Sequence, residues 1–126
     1  YAIQAEEVIA QLFKSGKFDK DDLKKLTESV NNLLNEEKVK PYFSDNWIVK
    51  TEKEILMENG KTYIPDRLLF SKITDEVVVI DYKTGLEKDA HENQITEYAD
   101  ALSKMGKKNI KRILIYISDE IKIKEL

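Results

Sequence analysis

Asp66, Asp81 and Lys83 are the residues whose types and spacing best suit chemistry in this chain. They fall in IPDRLLFSKITDEVVVIDYKTG, residues 64–85, which reads as strand, turn, strand: Pro65 to Phe70, a turn around Lys72–Asp75, then Val77 to Lys83. A turn centred between Ile73 and Thr74 pairs residues whose numbers add to 147, as 66 and 81 do, so the two aspartates are expected opposite one another. Opposed residues share a sheet face, with Cβ atoms roughly 4.5–5.5 Å apart. The two-residue period of a strand puts Lys83 on that face as well. Two carboxylates facing each other repel, so a fold that keeps them together is expected to supply a cation. The expected geometry is a metal site with a lysine beside it.

Leu68, Phe70, Val77 and Val79 accompany the aspartates on their face, while Leu69, Val78, Ile80 and Tyr82 occupy the other. Apolar residues on both faces mark central strands covered on each side. Charge at the end of such a strand is costly unless paired or coordinated. Asp-x-Lys at a strand end is common in itself; the matching register of Asp66 and the Pro-Asp-Arg around it distinguish this one. A helix is expected from Ala90 to Met105, opened by a capping box of Asp89 and Glu92. His91, Gln94, Tyr98, Leu102 and Met105 fall along one stripe of it. Periodicity alone makes Tyr98 a core aromatic, and makes Gln94, polar on an apolar stripe, the better functional candidate. His91, the chain's only histidine, is expected to be exposed.

Taken in order, Pro65-Asp66-Arg67, Asp81-Tyr82-Lys83-Thr84-Gly85 and the pair Gln94 and Tyr98 resemble the motifs of the PD-(D/E)XK nucleases, RecB-like branch. The resemblance covers residues 45–117, and TEKEIL, from Thr51 to Leu56, looks like the family's glutamate-bearing first strand. Each motif alone is weak and the ordered set is fairly specific. The resemblance implies a restriction-endonuclease-like α/β core, a central mixed β-sheet flanked by helices. It implies Asp66, Asp81 and Lys83 as catalytic residues. Mg²⁺ or Mn²⁺ would be held by Asp66, Asp81 and the backbone carbonyl of Tyr82. Gln94 and Tyr98 would face substrate or the lysine, with Arg67, Glu52 and Glu54 as further candidates. The implied partners are DNA and a helicase motor domain in the same polypeptide, in a bacterial cytoplasmic helicase–nuclease of recombination and repair. Cleavage, expected to be exonucleolytic, would leave 5′-phosphate and 3′-hydroxyl ends. The rival expectation is a catalytically silent DNA-binding or scaffolding module of a helicase complex.

Phosphodiester hydrolysis leads to the same residues from its own requirements. It needs a nucleophilic water, neutralisation of the phosphate and help for the leaving oxygen, all of which one or two Mg²⁺ ions can supply. Mg²⁺ prefers hard oxygen ligands and retains waters, so one or two carboxylates plus substrate phosphate are enough. The compact ammonium of Lys83 suits orienting the water or stabilising charge on phosphate.

Two features depart from this pattern. Asn59-Gly60 is a strong two-residue hairpin signal. Pairing about it adds to 119, which sets Lys53, not Glu54, opposite Asp66, unless a bulge at Pro65 shifts the parity and swings Glu52 and Glu54 onto the site. The family also carries a histidine on an early helix, whereas no histidine precedes His91 here. The chain starts at Tyr1 within a helical pattern and is expected to be a fragment of a longer polypeptide; Glu6 and Glu7 are the candidates to stand in for the histidine.

Composition bounds the rest. There is no cysteine, hence no disulfide framework, zinc thiolate site or iron–sulfur cluster. Charged residues make up 36% of the chain, yet the net charge is −3, less basic than a free-standing DNA binder. Lys104, Lys107, Lys108, Lys111 and Arg112 form a local basic run, read first as a solvated loop. No apolar run reaches the length of a membrane span. Gly60-Lys61-Thr62 is no phosphate loop, since Ile55 stands where its first glycine belongs and strand-like residues follow.

The elements that must position the aspartates follow from periodicity. Helices are expected over Ala2–Lys14 and Lys20–Lys38, the second capped by Asp19 or Asp21 and striped by Leu23, Leu26, Val30, Leu33 and Leu34. Strands follow at Trp47–Met57, Lys61–Phe70 and Val77–Lys83, then the Gln94 helix, then Arg112–Ser118 and Glu120–Lys124. Residues 1–44 form an N-terminal helical extension and residues 45–126 the core.

Overall fold

The computed structural model describes residues 6–10, 23–51, 54–56, 60, 62–83, 87–117 and 121–126. Residues 6–10 are helical (α1). They are followed by α2 (Leu23–Leu34) and a 3₁₀ turn at Lys40–Phe43. Strands β1 (Trp47–Lys50), β2 (Ile55–Leu56), β3 (Thr62–Tyr63), β4 (Arg67–Ser71) and β5 (Glu76–Lys83) come next, then α3 (Asp89–Lys104), β6 (Asn109–Ile117) and β7 (Ile121–Glu125). The main sheet has the order β1-β4-β5-β6-β7, and β2 with β3 forms a separate hairpin. Among the described strands β5 and β6 alone are parallel, joined by the crossover through α3, and the other pairs are antiparallel. The class is α/β, a mixed sheet with helices on both faces.

The continuous apolar run of β5 is what a strand buried on both faces requires. Leu69, Val78, Ile80 and Tyr82, with Ile113, Ile115 and Ile117, pack beneath the N-terminal helices through Val8, Val30, Leu33, Leu34 and Phe43. On the other face Leu68, Val77, Val79, Leu114 and Tyr116 meet α3 through Ile95, Tyr98 and Leu102. The helix is stopped by Gly106, whose φ of 98° is readily reached only without a Cβ. The Gly106 N–H donates to Ser103 O and the Lys107 N–H to Leu102 O, so two of the last carbonyls are satisfied. Arg112 donates to Thr96 Oγ1 at 2.7 Å and ties the same helix to β6.

The β4–β5 register is the expected one: Arg67 pairs with Ile80 and Leu68 with Val79. Other boundaries differ. The helix expected to reach Lys38 ends at Leu34, and the chain makes turns before the 3₁₀ segment that buries Tyr42 and Phe43. Pro41 opens that segment, where its missing N–H costs little, rather than closing a helix. The long strands expected on either side of Asn59-Gly60 each break in two, β1 from β2 and β3 from β4. Their registers, Ile55 with Tyr63 and Val49 with Leu69, add to 118 on both sides of the break, not to 119. Gly60, at φ 81°, lies between these strands, and the parity is reached with no bulge at Pro65. Asp89 lies inside α3 behind Lys88, which makes no side-chain cap, so the expected capping box is not formed. The expected caps Asp19 and Asp21 lie outside the described residues.

Candidate functional site

The β4–β5 ladder ends where the two aspartates begin. Beyond the Arg67–Ile80 pair, side chains take over from backbone carbonyls. The Asp66 N–H donates to Asp81 Oδ1 at 3.0 Å, and the Tyr82 N–H donates to Asp66 Oδ2 at 2.8 Å. Each carboxylate therefore accepts an amide from the neighbouring strand segment, and the two are locked together. Asp81 is only 3% exposed. Carboxylate oxygens have two lone pairs each, so a carboxylate that accepts an amide can also contribute to a cation's shell.

Lys83 lies on the same face, its Nζ 3.8 Å from Asp81 Oδ2. The closer partner of that amine is Gln94, whose Oε1 accepts its hydrogen bond at 3.0 Å. The crossover connection thus returns α3 so that its first turns stand over the end of β5. Tyr98, one turn further along, is completely buried, its ring edge-on to Tyr63 at 5.2 Å. Burial, with the negative charge of Asp81 adding to it, pushes the Tyr98 hydroxyl up to about 12. Tyr98 is therefore a core aromatic, as its periodicity suggested. Met105, expected on the same stripe, is instead exposed.

Arg67 points to the other face and is 2% exposed. Its guanidinium carbon sits 4.6 Å from the Phe43 ring centroid, and Nη1 lies 3.3 Å from Glu7 Oε1. Tyr82 is buried on the same far side, and burial drives its hydroxyl well above the ordinary tyrosine value. Glu7, one of the two candidates for a missing ligand, is thus engaged with Arg67. Glu54 is exposed just before β2, and Glu52 lies outside the described residues, as do Thr84 and Gly85. Among the described residues, no group of three or more histidine, cysteine, aspartate or glutamate side chains is arranged to hold a metal. A cation here would rest on Asp66 and Asp81, with backbone oxygen, water or phosphate completing its shell. Mg²⁺ tolerates that kind of partial protein coordination.

Sequence reasoning missed an ion-pair cluster at the start of α3. Lys122 Nζ donates to Glu87 Oε2 at 2.6 Å, and Lys124 Nζ lies 3.4 Å from Glu87 and 3.3 Å from Glu92. The Lys122 hydrogen bond holds the Glu87 carboxyl below its ordinary value, while Glu92 raises Lys124. His91 is half-buried rather than exposed, with Nδ1 3.0 Å from the Tyr116 hydroxyl. Alternating lysines on an edge strand, such as IKIKE, are the one signal that could have pointed there. The basic run after α3 disperses: Lys107 sits over the Phe70 ring, Lys111 is drawn to Tyr42 and Glu76, and Arg112 turns to Thr96.

No family model and no curated protein matches the chain. Among solved structures it is similar to one described only as the crystal structure of SSO0001, at 19% identity and a TM-score of 0.45. That alignment covers 96% of this chain and 65% of the other, so the chain spans just under two thirds of that structure's length. Among the described residues no helix is long and apolar enough to cross a membrane.

Proposed function

We propose that this chain is a divalent-metal-dependent DNA nuclease module with a restriction-endonuclease-like core of the PD-(D/E)XK, RecB-like kind. The observation that carries the reading is the meeting of Asp66, Asp81, Lys83 and Gln94 at one end of one sheet face. Among the described residues Lys83 is the ammonium beside these two carboxylates, and a pair of facing carboxylates suits a divalent cation. When bound, Mg²⁺ or Mn²⁺ would lower the pKa of a water and neutralise phosphate oxygens. Asp66 and Asp81 would hold it, with the Tyr82 carbonyl as a further oxygen. Lys83 would orient the attacking water or stabilise charge on the phosphate, its amine aimed by Gln94 rather than clamped in a tight salt bridge. Tyr98 would keep α3 seated so that Gln94 stays within reach. On this reading the module belongs to a bacterial, cytoplasmic helicase–nuclease acting in recombination and repair, and receives DNA from an attached motor, which suits a surface of net charge −3.

The second reading is a silent DNA-binding or scaffolding module. The sequence carries no histidine before His91 and its charge balance is acidic, both of which favour it. Incubating linear single- and double-stranded DNA with Mg²⁺ or Mn²⁺ separates the two. Cleavage that EDTA stops and that Lys83→Ala lacks is expected; DNA binding with no cleavage, even in a chain extended upstream, would establish the silent module.

A further inference from the structure

We infer that Arg67 and Glu7 are positioning residues for the carboxylate pair, acting from the opposite face of the sheet. The inference rests on the reading of Asp66 and Asp81 as the working carboxylates. Consecutive residues of a strand point to opposite faces, so whatever fixes one side chain fixes the backbone that aims the next. Each aspartate is followed by a residue anchored on the far face: Asp66 by Arg67 and Asp81 by Tyr82. Arg67 and Tyr82 are among the largest fully buried side chains of the molecule. The hydrogen bonds that lock the carboxylates use the backbone amides of Asp66 and Tyr82, that is, the segments these two anchors immobilise.

The arginine is a costly choice for that position. Phe43, Leu69, Ile80 and Ile113 around it make an apolar cluster that a leucine or methionine would fill without desolvating a charge. Arg67 Nε and Nη1 have no aligned hydrogen-bond acceptor, and the 3.3 Å approach of Glu7 supplies the counter-charge without ideal geometry. What the arginine provides instead is reach. It spans from the strand to α1, so the docking of a helix sixty positions earlier in sequence sets the backbone beside Asp66. The carboxylate pair is then complete only when the N-terminal helix is seated, and Glu7 serves Arg67 rather than the metal.

The test compares the parent chain with Glu7→Gln, Arg67→Lys and Asp81→Asn by calorimetric titration with Mn²⁺ alone and by amide exchange. Glu7→Gln and Arg67→Lys are expected to weaken Mn²⁺ binding by about tenfold, the range of outer-shell substitutions at metal sites. They should also speed exchange of the Asp66 and Tyr82 amides more than that of Val79, buried further back along β5. Equal acceleration at all three amides, or none, would overturn the inference, because a merely structural pair loosens the sheet as a whole. Glu7 is partly exposed, so Glu7→Gln keeps the test open should the arginine variant fail to fold. If the parent and Asp81→Asn bind Mn²⁺ equally poorly, the metal-site reading falls, while the exchange comparison still decides the positioning role.

Discussion

Two sets of carboxylates and lysines stand close together in this fold, and they obey different rules. Asp66, Asp81 and Lys83 sit where β5 leaves the core, with Asp81 almost entirely buried. Glu87, Glu92, Lys122 and Lys124 begin only six positions after Asp81, join the start of α3 to edge strand β7, and are half-buried to exposed. The exposed set has the shorter contact, 2.6 Å between Lys122 and Glu87 against 3.8 Å between Lys83 and Asp81. Contact length is therefore a poor guide to consequence. At the surface, water screens a close pair, and holding two long side chains costs entropy. In the buried set each carboxylate is fixed by a backbone amide, and the lysine is held by a neutral amide group.

The largest effect should separate the two sets by activity. Lys83→Ala is expected to lower DNA cleavage by on the order of 10²–10³-fold, the range for losing one group that stabilises transition-state charge. Asp81→Asn should abolish Mn²⁺-dependent cleavage while leaving the thermal midpoint unchanged or higher. The amide oxygen of asparagine can still accept from the Asp66 N–H, and one of two facing like charges is gone. A fall in both activity and midpoint would break the comparison, making the buried set structural.

The tyrosines around the buried set give a pH signature on the alkaline side. Tyr82 and Tyr98 keep their protons above the ordinary value of 10.0, at which the unfolded chain gives them up. Their contribution to stability is therefore fully present below pH 10 and is lost as the pH climbs towards 12, at up to about 1.4 kcal/mol per pH unit for each. Chemical denaturation across that window should show a shallower decline in Tyr98→Phe than in the parent.

Ile80, fully buried beside Asp81, should behave as its neighbour's converse. Ile80→Val is expected to cost about 0.5–1.5 kcal/mol in denaturant titration with little change in cleavage. The smallest effect belongs to the surface cluster. Lys122 and Lys124 hold Glu87 ionised, so its contribution exists above its ordinary value of 4.5 and fades as acid carries the pH below that value. Because the group is exposed, Glu87→Gln should leave the thermal midpoint at neutral pH unchanged within error, and added salt should remove any residue of the effect.

Much of the buried set could be read from local pattern. The turn at Lys72–Asp75 fixed a register adding to 147, and the apolar run VVVI required both faces to be covered, so Asp66, Asp81 and Lys83 had to share a face. Gln94 was legible as a polar residue on an apolar helical stripe, although its hold on Lys83 was not. The register about Asn59-Gly60 differs by one residue from the expected one, since a glycine-containing turn signal does not fix the length of the turn. That single residue decides which parity faces Asp66.

Alternation, helical periodicity and turn chemistry act within a few residues, and through them the sequence by itself determined the α/β class, the two covered faces and the pairing of Asp66 with Asp81. Tertiary structure alone decided that Glu7 meets Arg67, that Lys83 leans on Gln94 more closely than on Asp81, and that β7 supplies lysines to α3. Those contacts join elements far apart in the chain, and only packing of the layers around a common core brings them within reach of a hydrogen bond.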